Sequence, residues 1–440
     1  MKSKGLLTAS FLLLLLTGVL WWSNKRAAKA DKEPVESATT KLVSIPEDQF
    51  QEIEIKRRFG ETVHLQRNNS KWQITAPKSF PADADAVSSM LSTLSSLSSD
   101  RTVEDKPSSL DQYGLTQPAI ELDITDKNKK TSKLLVGDDT PAGTAVYAAI
   151  AGDPRVFALS SYKKSSLDKS TNDLRDKRLL TVDSDKVSSI ELTAKKQTMV
   201  FGRSKDEWQI VKPKPFRADR SQVEDLLRTL RDAKMDLSTS EDEKKAAAAF
   251  NTGTPLATAK VTDVSGTQEL QVRKSKDSYY AKSSSVAGIY KISSGTGPVL
   301  DKGLDDFRNK KVFDFGFADP DKIELHDGSK SYFLTRSGSD WWSKGAKMDS
   351  GTVSAVIDKI RDLSANKFPE TGFTTPALDL TVTSDGGKRT EKVLVSKYGE
   401  NFVAKRQDEP ALYELNASAI TELQQAAADL KPAPPPPGKK

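Results

Sequence analysis

The 440-residue chain contains no cysteine and only two histidines, His64 and His326. Without cysteine it cannot form disulfides, thiolate metal sites, cysteine nucleophiles or a lipid-modified N-terminal cysteine. The formal net charge is only +6, and basic and acidic residues are mixed along the chain. A nucleic-acid-binding protein usually carries a basic face or stripe, so this balance argues against a nucleic-acid partner.

Motifs of the common catalytic sites are also missing. The sequence has no G-x-x-x-x-G-K-[ST], no G-x-S-x-G and no H-E-x-x-H, so the P-loop, the serine-hydrolase elbow and the zinc-protease helix are excluded. We therefore expect no cofactor, no metal site and no enzymatic activity. A carboxylate-dependent hydrolase is a remote alternative, which would need two carboxylates, neither of them a helix cap, converging in one cleft.

The N-terminus carries an apolar segment, residues 5–22, which ends in Trp21 and Trp22 and is followed by Lys25 and Arg26. At 1.5 Å per residue, about 18 residues are close to the minimum that crosses a hydrocarbon core. Aromatic residues beside flanking cations are typical of a membrane interface. We interpret residues 1–24 as an uncleaved membrane anchor, with a signal peptide cleaved near Ala30 as the alternative, and residues 25–41 as a flexible tether.

One segment occurs three times in the body of the chain. Trp72, Trp208 and Trp341 lie 136 and then 133 residues apart. After each Trp, apolar residues beginning at Val87, Val223 and Val353 recur at i, i+3, i+4, i+7 and i+10, which predicts one stripe of an amphipathic helix. An aspartate stands four residues before each stripe, where an N-cap belongs: Asp83, Asp219 and Asp349. Asp219 and Gln222 also have capping-box spacing.

Alternating apolar segments surround each helix and predict strands. Two precede the Trp segment, and a strand that opens with proline and several shorter strands follow the helix. The fold class is therefore α+β, with three tandem repeats, each a mainly antiparallel sheet with one capped helix and a short closing helix. We place the modules at residues 42–180, 181–313 and 314–430, the third being shorter, and a disordered proline-rich tail or docking peptide at 431–440. Arg175 and Arg308 in the closing segments are expected to form exposed local ion pairs.

The recurrence of Trp72, Trp208 and Trp341 at one structural position favours packing against the helix of the same module. Trp342 follows Trp341 directly, so in a strand the two rings must point to opposite faces. Trp342 is therefore the best candidate for an exposed contact with a partner or ligand.

The ordered set of motifs resembles a bacterial envelope family known as domain of unknown function 4340. The motifs are the N-terminal anchor, the I-x-I strands, the K-W-x-I strand, the Ala-Asp turn into the helix, the Y-G-L-x-x-P segment at Tyr113 and the L-R-D-K closing segment. The resemblance implies an envelope location and genes next to subunits of gliding-motility-type ABC transporters. It assigns no catalytic residue.

We expect a non-enzymatic membrane-anchored protein with its body in the periplasm or outside the cell. Its partners would be the membrane, through the N-terminal helix, and proteins, namely an ABC-transporter permease and a related extracytoplasmic subunit. An extracytoplasmic module that binds glycan or peptidoglycan through Trp342 is the alternative.

Overall fold

The computed structural model describes residues 39–205, 207–237 and 243–435. It divides into two compact units, one up to residue 177 and one from residue 178. The predicted anchor and most of the predicted tether lie outside the described residues. Within the described ranges, no helix is both long and apolar enough to cross a membrane.

The first unit contains one nine-stranded sheet in the order β4-β3-β2-β1-β6-β7-β8-β9-β5. Its strands are β1 (Phe50–Arg57), β2 (Val63–Asn68), β3 (Lys71–Ala76), β4 (Phe80–Pro81), β5 (Arg101–Glu104), β6 (Ile120–Asp126), β7 (Thr131–Asp139), β8 (Ala145–Ile150) and β9 (Val156–Ser160). Its helices are α1 (Ala84–Ser95), α2 (Ser161–Leu167) and α3 (Thr171–Leu174).

The second unit contains two eight-stranded sheets. The first runs β13-β12-β11-β10-β14-β15-β16-β17 and consists of β10 (Ser189–Ala194), β11 (Gln197–Ser204), β12 (Glu207–Lys212), β13 (Phe216–Arg217), β14 (Thr254–Asp263), β15 (Gly266–Ser275), β16 (Ser278–Ser283) and β17 (Ile289–Ile292). The helices that accompany it are α4 (Arg220–Arg231), α5 (Glu243–Thr252), α6 (Thr296–Leu300) and α7 (Leu304–Phe307).

The other sheet of this unit, the third along the chain, runs β21-β20-β19-β18-β22-β23-β24-β25. It consists of β18 (Lys322–Asp327), β19 (Lys330–Ser337), β20 (Asp340–Ser343), β21 (Ala346–Lys347), β22 (Leu378–Ser384), β23 (Arg389–Tyr398), β24 (Asn401–Arg406) and β25 (Leu412–Leu415). Its helices are α8 (Ser350–Asp362) and α9 (Ala417–Ala428).

All three sheets follow one plan, which confirms the predicted antiparallel α+β class and the internal repeat. A four-strand meander leads into the capped helix, and a second meander follows it. The first strands of the two meanders pair antiparallel at the centre of each sheet, as in Ile190 with Val261 and Ile323 with Val382. The first sheet adds β5 at its edge.

The capped helix of each module buries the predicted apolar stripe. In α4 the stripe residues Val223, Leu226 and Leu230 are fully buried and belong to the same core cluster as Ile190 and Leu192 of β10. Alternate residues of the strand point inward, so one face of the sheet meets the helix. The other face carries polar and charged side chains such as Glu191.

Backbone hydrogen bonds near the two ends of the capped helix fix the segments that begin and close each module. The backbone N–H of Leu179 donates to Ala233 O at 2.9 Å, just beyond the end of α4. At the other end, the N–H of Asp219 donates to Phe307 O at 2.7 Å. The same pair of contacts recurs around α1 and α8.

The third module closes with part of the predicted tail. The N–H of Asp349 donates to Lys431 O at 3.0 Å, and the N–H of Ala433 donates to Lys347 O at 2.9 Å. Pro432 therefore takes the place that Arg175 and Arg308 take in the other two modules. The third module has no Leu-Arg-Asp-Lys sequence. Residues 431–433, which were predicted to belong to the disordered tail, make the equivalent contact through backbone groups.

Candidate functional site

The three repeated aspartates are helix caps, as their spacing predicts. One carboxylate oxygen accepts the N–H of Ala86 at 3.0 Å in the first module, of Gln222 at 3.2 Å in the second and of Thr352 at 3.0 Å in the third. The side chains of Asp83, Asp219 and Asp349 thus accept hydrogen bonds from the backbone of the first helical turn. The predicted capping box is not formed, because the N–H of Asp219 donates to the closing segment and the Gln222 side chain accepts from Lys302.

The repeated tryptophans face the core to different extents. Trp208 and Trp341 are each 5% exposed and belong to the cores of their modules. Trp72 is only partly buried and packs at the edge of the first core. Trp342, in contrast, is 39% exposed.

Trp342 lies on the outer face of the third sheet, which the capped helix does not cover. It pairs with Thr335 of β19 on one side and with Lys347 of β21 on the other. Two residues before Thr335 on the same strand face is Phe333, which is 38% exposed. The ring of His326 contacts Phe333 edge-on at 5.4 Å. Together, Trp342, Phe333 and His326 form what we call the outer aromatic patch.

The patch is specific to the third module. The position equivalent to Trp342 is Gln73 in the first sheet and Gln209 in the second, each directly after the repeated Trp. Gln209 is exposed in a strand whose neighbours Trp208 and Ile210 are buried. The chain thus offers the same backbone position with and without the aromatic side chain.

A second group of functional interest lies where the two modules of the second unit meet. The Arg217 guanidinium donates to Asp314 at 2.6 Å, Glu409 at 3.1 Å and the Tyr413 hydroxyl at 3.0 Å. It also donates to the carbonyl of Lys311. Burial alone would lower the pKa of Arg217, but Tyr413 and the two carboxylates outweigh burial and raise it. Arg217 therefore stays charged and joins β13 to the third sheet.

A buried ion pair continues this network. Arg406 and Glu391 are 2% and 4% exposed, with Nη1 to Oε1 at 2.9 Å. Arg406 also donates to Val312 O at 2.6 Å and to both carboxylate oxygens of Asp408. Each buried charge thus has hydrogen-bond partners, which burial in a low-dielectric interior requires.

Arg308 is held between two aromatic rings. Its guanidinium carbon lies 4.1 Å from the centre of the Phe216 ring and 3.6 Å from that of Phe368. Arg308 forms a local ion pair as predicted, but with Asp305 at 3.5 Å and not with the neighbouring Asp306. The predicted exposure was wrong, because Arg308 is only 7% exposed. Loss of solvent lowers its pKa. In the first unit, Arg175 stacks on Phe80 at 4.0 Å.

A groove of about 800 Å³ opens beside Arg308. One part of its lining is apolar and includes Phe216, Phe368 and three prolines. The other part is charged and consists of Lys214, Arg308, Asp305, Asp306 and Glu370. Sequence reasoning did not find this groove, because its walls come from segments up to about 200 residues apart with no shared motif.

The carboxylates that line the groove are relevant to the alternative of a carboxylate-dependent hydrolase. Asp306 accepts the N–H of Gly303 at 2.8 Å and so closes the start of α7, and Asp305 is paired with Arg308. Asp305 and Glu370 are the two lining carboxylates that cap no helix, so the alternative stays a prediction. In the described ranges no group of three or more His, Asp or Glu could hold a metal ion.

The sheets, caps and closing segments define an α+β repeat protein, and comparison with known sequences names its family. The sequence pattern described as "Domain of unknown function (DUF4340)" matches residues 72–209 and 208–383. These matches cover well over half of the chain, which therefore belongs to this family.

Other comparisons add little. No curated protein matches the chain. Two solved structures align at 7% identity with a TM-score of 0.15: the DNA polymerase III subunit beta and a ligand-bound DNA polymerase sliding clamp, both from Pseudomonas aeruginosa. The alignments cover 86% of this chain and 94% and 93% of the other two. A TM-score this low supports no argument about fold or function.

Proposed function

We propose that this protein is a non-enzymatic, membrane-anchored scaffold of the bacterial envelope whose modules bind subunits of an ABC transporter. The observation that carries the proposal is the outer aromatic patch. A tryptophan and a phenylalanine that remain more than one-third exposed on a sheet face are favourable contact groups for another protein.

The surroundings of the patch fit a protein partner. Lys347 is paired with Asp340 at 2.9 Å, and Lys322 lies next to Thr335 in the sheet. Aromatic rings surrounded by charged and polar groups resemble the centre and rim of a protein interface. The apolar segment at residues 5–22 supports the anchor, and the resemblance to an envelope family supports the transporter as the partner.

Co-purification of the full-length protein from detergent-solubilised membranes tests this function. We expect transporter subunits to be recovered with the unchanged chain and with Gln209→Ala, and to be lost with Trp342→Ala. Recovery of the chain from the soluble fraction, or from membranes as a lone protein, would contradict the proposal.

Glycan or peptidoglycan binding is the second candidate, because an exposed tryptophan ring can also stack on a sugar. Pull-down on isolated cell wall separates the two functions. Retention of the full-length chain on cell wall, lost in Trp342→Ala but not in Gln209→Ala, would favour the glycan.

A further inference from the structure

The groove beside Arg308 has the dimensions and the mixed lining of a binding site. Its volume of about 800 Å³ is within the range of roughly 300–1,000 Å³ that is typical of ligand sites. It lies between β13 with the segment before it and two loops of the third module, residues 368–371 and 410–412. Its position is distinct from the outer aromatic patch on β18–β20.

Arg308 is the cation of the groove that can bind a ligand carboxylate. Phe216 and Phe368 lie against its guanidinium group at 4.1 and 3.6 Å, and Arg308 also lines the groove. Asp305 is its one ion-pair partner among the described residues, at 3.5 Å through a single nitrogen, and the Asp305 side chain is itself 66% exposed. A guanidinium bound by both oxygens of a carboxylate makes two short, parallel hydrogen bonds, and this geometry is still open here.

The other charged residues of the groove determine where the acidic group and the hydrogen-bond donor of a ligand must lie. Lys214 forms no ion pair within the described part of the chain and provides a second cation. Glu370 is likewise unpaired there and would repel an acid while accepting from an N–H donor. Asp306 is already occupied by the Gly303 N–H. The ligand must therefore place its carboxylate towards Arg308 and Lys214 and a donor towards Glu370.

We propose that this groove binds an extended acidic segment of a partner protein, with one carboxylate side chain on Arg308 and flanking apolar residues on the Phe and Pro wall. This inference rests on the proposed scaffold function and adds a second contact to it. An extended backbone supplies N–H donors for Glu370, and aromatic-lined grooves are one of the recurring kinds of site that bind extended peptides.

The proline-rich tail of this chain does not fit the groove. Residues 431–440 contain three lysines and no acidic side chain, so they offer no side-chain carboxylate to Arg308. The predicted tether does fit in composition, because residues 31–38 read Asp-Lys-Glu-Pro-Val-Glu-Ser-Ala. The experiment must therefore distinguish binding of a partner protein from binding of the chain's own tether.

The test is fluorescence anisotropy with a labelled synthetic peptide of residues 31–38 and the full-length protein in detergent. A peptide with the three acidic residues changed to their amides is the control. We expect saturable binding of the acidic peptide, weakened at high salt, and at least about tenfold weaker binding of the amide peptide or to Arg308→Lys.

Lys214→Glu tests the proposal even if Arg308 variants fold poorly, because Lys214 makes no ion pair with any residue that the structure describes. We expect it to weaken acidic-peptide binding about three- to tenfold, and Glu370→Gln to strengthen it. Lys388→Glu, an exposed change outside the groove, should have no effect. Equal binding to Lys214→Glu and Lys388→Glu, or equal binding of the amide peptide, would overturn the proposal.

A chain with Asp31→Asn, Glu33→Gln and Glu36→Gln identifies the natural occupant. If the groove is free for a partner, this chain binds the acidic peptide as the unchanged chain does. Binding only after these changes shows that the tether occupies the groove and overturns the partner assignment.

Peptide binding and co-purification together separate the two proposals. Loss of peptide binding while transporter subunits still co-purify refutes only the groove proposal. Intact peptide binding without any subunit refutes the scaffold function.

Discussion

Trp341 and Trp342 are adjacent in β20, yet Trp341 is 5% exposed within the core and Trp342 is 39% exposed on the opposite face. Alternation along a strand separates the two rings. One ring thus packs in the core, and the other lies on the exposed face of the sheet.

Alanine at these two positions should have different effects on stability. Trp341→Ala should lower the free energy of unfolding by about 3–5 kcal/mol, because it leaves a cavity in the third core. Trp342→Ala should change it by less than about 1 kcal/mol. Hydrogen exchange of β18–β22 peptides measures both, and equal protection in the two variants would contradict the assignment of faces.

Loss of Arg217 should destabilise the contact between the two modules of the second unit. Arg217→Ala removes the short contacts to Asp314 and Glu409, which among the described residues keep ion pairs only with Arg389 at 3.7 Å and Arg406 at 3.0 Å. Losing one partner of such a partly buried network costs about 1–3 kcal/mol. Arg220→Ala is the matched control, because its pair with Glu224 is exposed and contributes at most about 1 kcal/mol. Limited proteolysis around residues 309–314 should become faster only in Arg217→Ala.

Acid should weaken the second unit through Asp408. Burial alone would raise the pKa of Asp408, but its hydrogen bonds from Arg406 outweigh burial and lower it below the ordinary value. A lowered folded-state pKa adds stability that is present above the unfolded value of about 3.9 and is lost as pH falls towards the folded value. Urea unfolding at pH 7 and below pH 4 should show a smaller acid loss in Asp408→Asn; an unchanged loss would contradict this cause.

Truncation of the C-terminus at two positions should distinguish the contribution of residues 431–433 from that of the rest of the tail. A chain ending at Leu430 loses the hydrogen bonds that join Lys431 to Asp349, the N-cap of α8, and Ala433 to Lys347 of β21, whereas a chain ending at Pro435 keeps them. Hydrogen exchange of residues 346–356 should therefore be faster in the first chain and unchanged in the second. Equal exchange in both would show that Lys431–Ala433 contributes nothing.

Local patterns predicted the strands, the helix stripes and the caps, because each depends on residues within about ten positions. The sequence also indicated that Trp341 and Trp342 face opposite ways. Helix α5 was not predicted, although the Ala run ahead of Phe250 has high helix propensity.

Contacts between distant residues could not be predicted. Arg217 and Glu409 are 192 positions apart, and nothing in the spacing of charges marks them as partners. Arg308 was interpreted as an exposed ion-pair residue because its neighbours are charged. Phe368, which lies against its guanidinium group, comes from another module and leaves no local pattern around Arg308.

Site-specific photo-crosslinking in membranes tests the scaffold function most directly. A photoreactive amino acid is placed at Trp342 and, as the control, at Gln209, the equivalent strand position of the second sheet. We expect a crosslink from position 342 to an ABC-transporter subunit and none from position 209. Equal crosslinking from both positions, or no crosslink from 342 to any transporter subunit, would contradict the scaffold function.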